Sequence, residues 1–555
     1  MRTTLFEDHH LHSTYSDGKH SIGEILEYNH LHDQLDLTIS DHVNTKTDWF
    51  PAYCKEIKEL RAQYPHFAVR IGCEVKIVED GTLNTTKEIL DAAEVVIGSV
   101  HHFTNIKSMT KEELLEKEYE LTKMITQRPE VDILGHPFSM CNRFFKLNPP
   151  MEYVEEIYRL CVKNGIKFEF NAKQALQSIQ ELVTHEMEQG NSRHFSFGTD
   201  MHDHASELGE AAFALAKPVT VLVTGAGAGV GQSILKALKL SKVKTRIIAV
   251  DMQPLAAGLY RSDAAYTVPG AQDAKYIPAL QKICKAENVE LLLVGTDVEL
   301  EVLARHREEF EQKTGTRIIV SSPEAITIAD DKWKTTEFLK THGFPHVRSA
   351  LADDVDALVK DTGFPLAVKP RVGARSIGFQ VVHDKKELNA ALASRSDLIV
   401  QEYLSEEDEE YTCGAFFWEG KCYGVIPMRR WLRSGDTYKA ASLHHPELEH
   451  FIEQVGSVLK ITGPCNFQLR KDGDMWKIFE INCRFSGTTG AASALGFNVV
   501  NALLQNIFFN RPLRRLSFRD AYMLRYWNEV IVPLEDVKTL SKGHLEGHHS
   551  ILNIF

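Results

Sequence analysis

Two groups of residues in this chain have types and spacings suited to metal and phosphate chemistry. One is the run Glu480-Ile481-Asn482-Cys483-Arg484-Phe485-Ser486-Gly487, with a carboxylate and an amide two residues apart. Side chains at i and i+2 of a strand share a face. Both oxygens can therefore grip one hard cation such as Mg²⁺, an ion that shares its oxygen shell with nucleotide phosphates. Arg484 continues that face and suits an anion. The other group lies nearer the N-terminus: His10 and His12, Asp41 and His42, Glu74, His101, His136, and Asp200 with His202. Imidazole and carboxylate in combination suit Zn²⁺, Mn²⁺ or Fe.

The elements that must position the second group are legible as an alternation. A strand-like Leu5–Asp8 and short apolar runs at Leu37–Ile39, Phe67–Ile71, Val95–Ile97, Asp132–Leu134, Lys167–Phe170 and Phe195–Phe197 are separated by helix-period segments such as Ile22–His32, Trp49–Tyr64, Lys111–Thr126 and Glu152–Lys163. Strands alternating with helices predict parallel βα units, and seven strands predict a barrel. Each metal-type residue falls at the C-terminal end of one of these strands, the rim on which βα barrels build active sites. The chain has 25 histidines, and His30, His32, His66, His544, His548 and His549 read as ordinary surface or tail residues.

A helical Ser206–Ala216 stops at Lys217-Pro218, since the residue before proline is pushed out of the helical region. No Gly/Ser spacer follows, which predicts closely docked halves. Val219–Val223 is a β-branched strand that runs into Gly225-Ala226-Gly227-Ala228-Gly229-Val230-Gly231, a helix at Gln232–Leu238 and a second strand ending at Asp251. A dinucleotide site has this form. The Tyr-x3-Lys pair of a short-chain dehydrogenase occurs only upstream, at Tyr15…Lys19 and Tyr119…Lys123, so the glycines read as serving the turn of a Rossmann-like element. Leu291–Val294 with Gly295-Thr296-Asp297 continues it.

Farther on, a helix begins at Asp331-Lys332, and the strand Phe364–Lys369 ends in a lysine before the loop Arg371-Val372-Gly373-Ala374-Arg375-Ser376-Ile377-Gly378. Two cations and a glycine loop over strands can neutralise and cover a triphosphate. The strand Leu398–Leu404, the acid run Glu406–Glu410, Gly463–Gln468 and Lys477–Asn482 complete the set. After Phe518 the pattern fades into a strand within Tyr522–Pro533 and a loose tail.

At 555 residues the chain exceeds one core. Its 43% hydrophobic and 25% charged residues are those of a soluble globular protein, with no apolar run long enough for a bilayer. The acidic start lacks the apolar core of a signal peptide. Nine scattered cysteines read as reduced thiols of a cytoplasmic protein. A net charge of −13 disfavours sequence-independent nucleic-acid binding without excluding a local basic groove. The sequence is compatible with a homo-oligomer.

Residues 1–216 resemble the PHP superfamily of phosphoesterases. The motifs His10-x-His12 with Ser16-Asp17-Gly18, Ser40-Asp41-His42, Gly72-Cys73-Glu74, Gly98-Ser99-Val100-His101, Gly135-His136-Pro137 and Gly198-Thr199-Asp200-Met201-His202 appear in order. The resemblance implies a distorted (βα)7 barrel with a trinuclear centre. His10, His12, Glu74 and Asp200 would hold one ion. Glu74 would bridge to a second ion held with His101 and His136, and Asp17, His42 and His202 would hold a third. Glu169-Phe170-Asn171 would support them. The implied chemistry is phosphoester hydrolysis with two or three divalent ions (Zn²⁺, Mn²⁺ or Fe), and Arg143 and Lys146 are candidates for a distal phosphate.

Residues 219–518 resemble the ATP-grasp ligases, in particular the large-subunit modules of carbamoyl-phosphate synthase. A Rossmann-like subdomain is implied over 218–330, the ATP-grasp core over 331–518, and a C-terminal strand and tail over 519–555. The resemblance implies that Lys332 and Lys369 contact ATP phosphates, and that Gln401, Glu402, Tyr403 and Leu404 form the adenine hinge. It further implies that Glu410 holds the ribose, that Gln468, Glu480 and Asn482 bind Mg²⁺, and that Arg484 stabilises the transferred group. Arg429, Arg430, Arg433 and Gly435 fall at the family's substrate loop. Cys483 departs from the usual proline and should point away.

The expected protein is an α/β bifunctional enzyme acting on small molecules: a phosphoesterase, with Glu74 and Asp200 catalytic, joined to an ATP-dependent carboxylate–amine ligase, with Lys369 and Arg484 catalytic. The alternative is a PHP nuclease gated by ATP binding.

Overall fold

A computed structural model describes residues 6–552 except 175, 374–376, 406–408, 434, 527 and 549. Leu5, Arg375 of the glycine loop, Glu406 to Asp408 of the acid run, Ser434 and His549 therefore lie outside the described residues. The chain forms two compact units, Met1–Lys217 and Pro218–Phe555.

In the first unit, β1 (Glu7–Leu11), β2 (Asp36–Ile39), β4 (Val69–Lys76), β5 (Val95–Ser99), β6 (Ile133–Leu134), β7 (Lys167–Asn171) and β8 (Phe195–Gly198) pair in that order and all in parallel. A two-residue strand, β3 (His42–Val43), adds to β4 with His42 opposite Glu74. The sheet nearly closes on itself: Leu11 bridges Met201 in parallel, and the His12 amide donates to the Met201 carbonyl at 3.1 Å. Strands of a closed parallel sheet are covered on both faces and so are almost wholly apolar; Leu37, Ile39, Ile71, Val75, Phe168, Phe170, Phe195 and Phe197 are all buried. The connecting helices include Ile22–His32 and Lys111–Ile125, each opened by a reciprocal capping box (Ser21 with Glu24, Thr110 with Glu113) that satisfies otherwise orphaned amides.

Two polar residues are buried in this barrel for structural reasons. Asp8, pushed up to about 6 by burial, accepts from the Thr199 amide, the Thr199 hydroxyl and the Gly209 amide. Glu118 accepts from the amides of Met140 and Cys141 and so anchors the segment after His136. The expected helix over Ser206–Ala216 is a 3₁₀ turn (Ala205–Glu207) and a short helix (Glu210–Ala214) instead. Gly209 separates them with φ of +74° while its amide serves Asp8.

The second unit begins with a sheet in the order β13 (Arg317–Ile319), β12 (Leu291–Leu293), β9 (Val219–Val223), β10 (Thr245–Asp251), β11 (Ala264–Thr267), β25 (His544–Glu546). All its pairings are parallel except the last. An antiparallel sheet follows, in the order β14 (Ser349–Ala350), β17 (Leu398–Glu402), β15 (Leu366–Pro370), β16 (Gln380–Val382). A larger antiparallel sheet runs β22 (Met475–Asn482), β21 (Gly463–Asp472), β18 (Glu410–Trp418), β19 (Lys421–Arg433), β20 (Asp436–Ser442), β23 (Ala521–Leu524). β24 (Val530–Ile531) pairs with β26 (Ile551–Leu552).

The C-terminal region is not a loose tail. A helix, Leu534–Leu540, leads into β25, which returns to the edge of the parallel sheet with Leu545 opposite Ala265. His544 stacks on Tyr266 at 4.3 Å, and Glu546 pairs with Arg246 at 2.9 Å. Covering an open edge strand in this way satisfies its ladder groups. The nearby Glu287, His544 and Glu546 could reach one ion, but Arg246 already pairs with both carboxylates. Among the described residues no helix is long and apolar enough to cross a membrane.

Candidate functional sites

The barrel strands carry their ligand-type residues to one rim, and Glu74 on β4 is at its centre. Its carboxylate is 1% exposed and divides its oxygens between two sets of imidazoles. Oε1 faces His101 Nε2 at 2.6 Å and His136 Nε2 at 2.9 Å. Oε2 faces His42 Nδ1 at 2.8 Å, His10 Nε2 at 3.2 Å and His12 Nε2 at 3.5 Å. Asp200 Oδ1 lies 3.3 Å from His12 Nε2, and Asp17 lies 3.3 Å from His202 and 3.6 Å from His42. These residues fall into overlapping groups whose ligand atoms sit within 4.8 Å of one another: His10/His12/Asp200, His10/Glu74/His136, His42/Glu74/His101 and His12/Asp17/His42/His202.

This donor set fits divalent ions. His10 Nε2, both nitrogens of His12 and Glu74 Oε2 are buried, and none makes a hydrogen bond of good geometry among the described residues. Orphaned buried polar atoms are costly unless something else satisfies them. The groups supplying them are held from behind. Glu169 on β7 bonds His10 Nδ1 at 2.7 Å through one oxygen and the His136 amide through the other. Gly198 leaves the space: a Cβ there would sit 2.2 Å from Glu169 Oε1, the oxygen that bonds His10. His136 and Asp200 hold positive φ, +23° and +51°, a strain that non-glycine residues keep where surrounding structure imposes it.

Asp41, counted with the ligand-type positions, is not part of the cluster. Its carboxylate accepts from the amides and hydroxyls of Ser13 and Ser16 and thereby shapes the loop that presents Asp17. Arg143 and Lys146 are exposed at the end of the helix Ser139–Phe145 and make no contact with the cluster among the described residues.

The charges set the titration. Burial works against a charged His136, but the hydrogen bond and charge of Glu74 prevail and raise it to about 9. Burial likewise opposes His10, and Glu169 and Glu74 lift it well above the usual value. Burial would raise Glu74, yet His101 and His10 hold it well below the carboxylate range. A metal needs these imidazoles neutral, so binding must expel protons. The raised His136 stabilises the ion-free fold fully below about 6.5, and that contribution is lost as pH rises through about 9. The melting temperature of the ion-free protein should therefore fall from pH 6.5 to 9, while the increment added by Mn²⁺ grows; thermal melts with and without Mn²⁺ check this, and a pH-independent increment would count against it.

In the second unit a cavity of about 690 Å³ is lined by Lys332, Lys369, Gln401, Glu402, Tyr403, Leu404, Glu410, Gln468, Glu480 and Arg484. Lys332 Nζ donates to the Gly373 carbonyl at 2.9 Å. Burial and the Lys332 ammonium push Lys369 down to about 8, against the pull of Glu480 and Glu410. Asn482 stands behind Glu480, its amide donating to Glu480 Oε1 at 3.0 Å, and its Oδ1 accepts from Arg484 at 3.1 Å. Glu480 and Asn482 share a face of β22, as their spacing requires, and Arg484 lies two residues past the end of that strand. Cys483 is buried and turned toward the Ala325 carbonyl.

Two carboxylates of the cavity are engaged by cations. Glu410 Oε1 accepts from Arg430 and Oε2 from Arg470, the closest contacts being 2.5 and 2.6 Å. Glu402 accepts from the Arg348 amide, the Arg348 guanidinium and Lys477 Nζ at 2.7–2.8 Å. Of the arginines expected at a substrate loop, only Arg430 turns inward, reaching Gln468 at 2.8 Å. Arg429 pairs with Glu409, and Arg433 is exposed. Two site residues were not anticipated. Asp297, from the parallel-sheet subdomain, grips Arg484 with both oxygens at 2.6 and 2.9 Å. Arg470 ties Glu410 to the Leu404 carbonyl; it lies two residues after Gln468 on β21, the same i, i+2 signal that marked Glu480 and Asn482.

The glycine loop after β9 does not leave its acid for a ribose. Asp251 Oδ2 accepts from the Gly227 amide at 2.8 Å, and Oδ1 from the Gln253 amide at 2.9 Å. Gly231 serves the turn: a Cβ there would meet the Gly225 carbonyl oxygen at 2.2 Å.

Comparison with known proteins follows the same division. Residues 8–173 match a model of the PHP domain, residues 221–319 a PylC-like N-terminal domain, and residues 394–525 an ATP-grasp described as belonging to a biosynthetic pathway with the Ter operon. The DNA polymerase/3'-5' exonuclease PolX of Bacillus subtilis is 30% identical over 176 residues, 30% of this chain and 29% of that protein. The carbamoyl phosphate synthase large chain of Pseudothermotoga lettingae is 27% identical over 268 residues, 44% of this chain and 23% of that protein. The chain thus spans less than a third of either relative. Among solved structures, biotin carboxylase from Campylobacter jejuni aligns with 52% of this chain and 70% of its own at 16% identity and a TM-score of 0.42. This chain joins an N-terminal PHP domain to a PylC-like N-terminal domain and an ATP-grasp domain.

Proposed function

We propose that the protein is a two-headed enzyme, a multinuclear-metal phosphoesterase and an ATP-dependent carboxylate–amine ligase. The observation that carries the reading is the convergence in each unit of a full set of groups for its chemistry: Glu74 among five imidazoles, and Lys369, Lys332, Glu480 and Arg484 around one cavity.

In the barrel, His10, His12, Glu74 and Asp200 would hold one ion, Glu74 with His101 and His136 a second, and Asp17, His42 and His202 a third. Such ions supply Lewis acidity toward a phosphoryl group and a bound water of lowered pKa. Glu169 orients His10 and the His136 backbone, and Asp41 holds the loop that carries Asp17. In the ligase half, Lys332 and Lys369 neutralise ATP phosphates, and Gln468, Glu480 and Asn482 hold Mg²⁺. Gln401 to Leu404 line the adenine. The Glu402 carboxylate is fully engaged, so a purine amine there meets main chain. Glu410 meets the ribose from its arginine clamp. The substrate carboxylate takes the γ-phosphoryl group with release of ADP; an amine then attacks the acyl carbon, losing a proton and expelling phosphate. Arg484, held by Asp297, faces the charge that develops.

The two steps would be sequential, with the barrel acting on a substrate or product of the ligase rather than on free ATP. Glu74→Gln and Glu480→Gln proteins incubated with one metabolite extract test this by mass spectrometry: one should accumulate a compound that the other consumes. A second reading, a nuclease gated by ATP, is favoured by the exonuclease among the relatives of the PHP domain and opposed by the net charge of −13. Phosphate release from small phosphoesters against oligonucleotides separates the two.

Saturating Mg·ATP should raise thermal stability, by about 2.7 kcal/mol at a hundred times its dissociation constant. Lys369→Met should lose most of that gain. Melting unaffected by Mg·ATP would remove the ligase reading.

A further inference from the structure

Beside the ATP cavity the second unit holds another, of about 540 Å³, at the C-terminal ends of β9, β10 and β12. Chain order reverses across β9, with β10 on one side and β12 on the other, and open α/β sheets place ligands in the crevice at such a point. Two carboxylates line this cavity, Asp251 from the end of β10 and Glu299 from the turn Asp297–Glu299. Leu255, Ala256, Val268 and Ala271 give it an apolar wall. The glycine loop runs against both acids. A Cβ at Gly227 would sit 3.0 Å from Asp251 Oδ2, and one at Gly225 would sit 3.3 Å from Glu299 Oε2. These two glycines therefore keep the carboxylates clear, apart from the turn that Gly231 serves.

Both acids are held but not neutralised. Asp251 accepts from the two amides described above. Glu299 Oε1 accepts from the Tyr276 hydroxyl at 2.7 Å, and Oε2 accepts from the Thr224 and Thr296 hydroxyls at 2.6 and 2.7 Å. Among the described residues neither acid forms an ion pair, and no lysine, arginine or histidine lines the cavity. The carboxylates of Glu402, Glu410 and Asp297 around the ATP cavity each pair with a cation. Burial pushes the Glu299 carboxyl up against the pull of its three hydroxyls, and the charge of Asp251 adds to the rise. A cationic ligand relieves such a pair of like charges. The wall selects its kind: a hydrated metal ion needs oxygen ligands on every side, whereas an alkylammonium brings an apolar stem for Leu255 and Val268.

We propose that this cavity holds the amine substrate of the ligase half as an aliphatic ammonium, its charge facing Asp251 and Glu299 and its stem on the apolar wall. Ala228, Thr296 and Val298 line both cavities, and Asp297, between the last two, grips Arg484. The amine is thus bound next to the reacting end of the ATP cavity. This rests on the ligase reading above and gives it a substrate class.

The test is calorimetric titration of the full chain loaded with Mg·ADP, using n-butylammonium and its neutral counterpart 1-butanol. The ammonium should bind about tenfold or more tighter than the alcohol. Asp251→Asn removes a charge at nearly constant shape. Leu255→Arg adds a cation at the mouth, on a side chain 76% exposed and so tolerant of change. Each should weaken n-butylammonium by about tenfold or more, while Leu255→Glu should keep it. Neither residue lines the ATP cavity, so Mg·ADP affinity in each variant reports a folded unit. Equal binding of 1-butanol, or indifference to both Asp251→Asn and Leu255→Arg, would overturn the proposal while Mg·ADP binding kept the ligase reading intact. Adenosine displacing the amine from the loaded protein would also overturn it, by making the cavity a nucleoside site. Failure of Mg·ADP itself to bind would remove both readings.

Discussion

Glu74→Gln should abolish phosphoester hydrolysis and strip most of the bound metal. Five imidazoles face this one carboxylate, three on one oxygen and two on the other. Glutamine keeps the shape, removes the charge and replaces one acceptor by a donor aimed at ring nitrogens. Removing one partner of a buried charge cluster costs about 3–5 kcal/mol, which is roughly two to four powers of ten in affinity. His42→Ala should be milder, because His42 and Asp17 are 32% and 56% exposed and water can replace what they supply. Elemental analysis and phosphate release, measured with and without added Mn²⁺, check both substitutions. A Glu74→Gln protein that keeps its metal and its turnover would sink the assignment of the barrel.

The second large effect is expected at Glu480. Glu480→Gln should lower ATP-dependent ligation by about 10²–10³-fold, the scale of losing one preorganised electrostatic group at a site where charge develops. It should leave the fold intact, since Asn482 can still hydrogen-bond residue 480. Its readout is ADP release against a library of carboxylates and amines, with phosphoester hydrolysis as the internal control. Unchanged ADP release would mean that Glu480 does not face the transferred phosphoryl group.

Much of this was legible in the chain. The parallel barrel follows from apolar runs alternating with helix-period segments, and Ile22–His32 and Val219–Val223 fall where periodicity puts them. The ligand-type residues at strand ends needed only the rule that βα barrels present those ends on one rim. Other parts were not legible. Asp41 stands beside His42 in sequence and looks equally like a ligand, yet it turns to Ser13 and Ser16 because their four donors face it from the loop that follows β1. The tail reads as polar and glycine-rich, but the open edge of β11 recruits it as a strand.

What the sequence determined by itself is therefore local: residue types, the period-2 face that aligns Glu480 with Asn482, and the order in which strand ends arrive. What only the tertiary structure decided is which charges meet. Asp297 and Arg484 are 187 residues apart, and Glu169 and His10 are 159 apart. Their pairing depends on sheet order and on the burial that makes an unpartnered charge costly, and neither quantity is a property of any short stretch of chain.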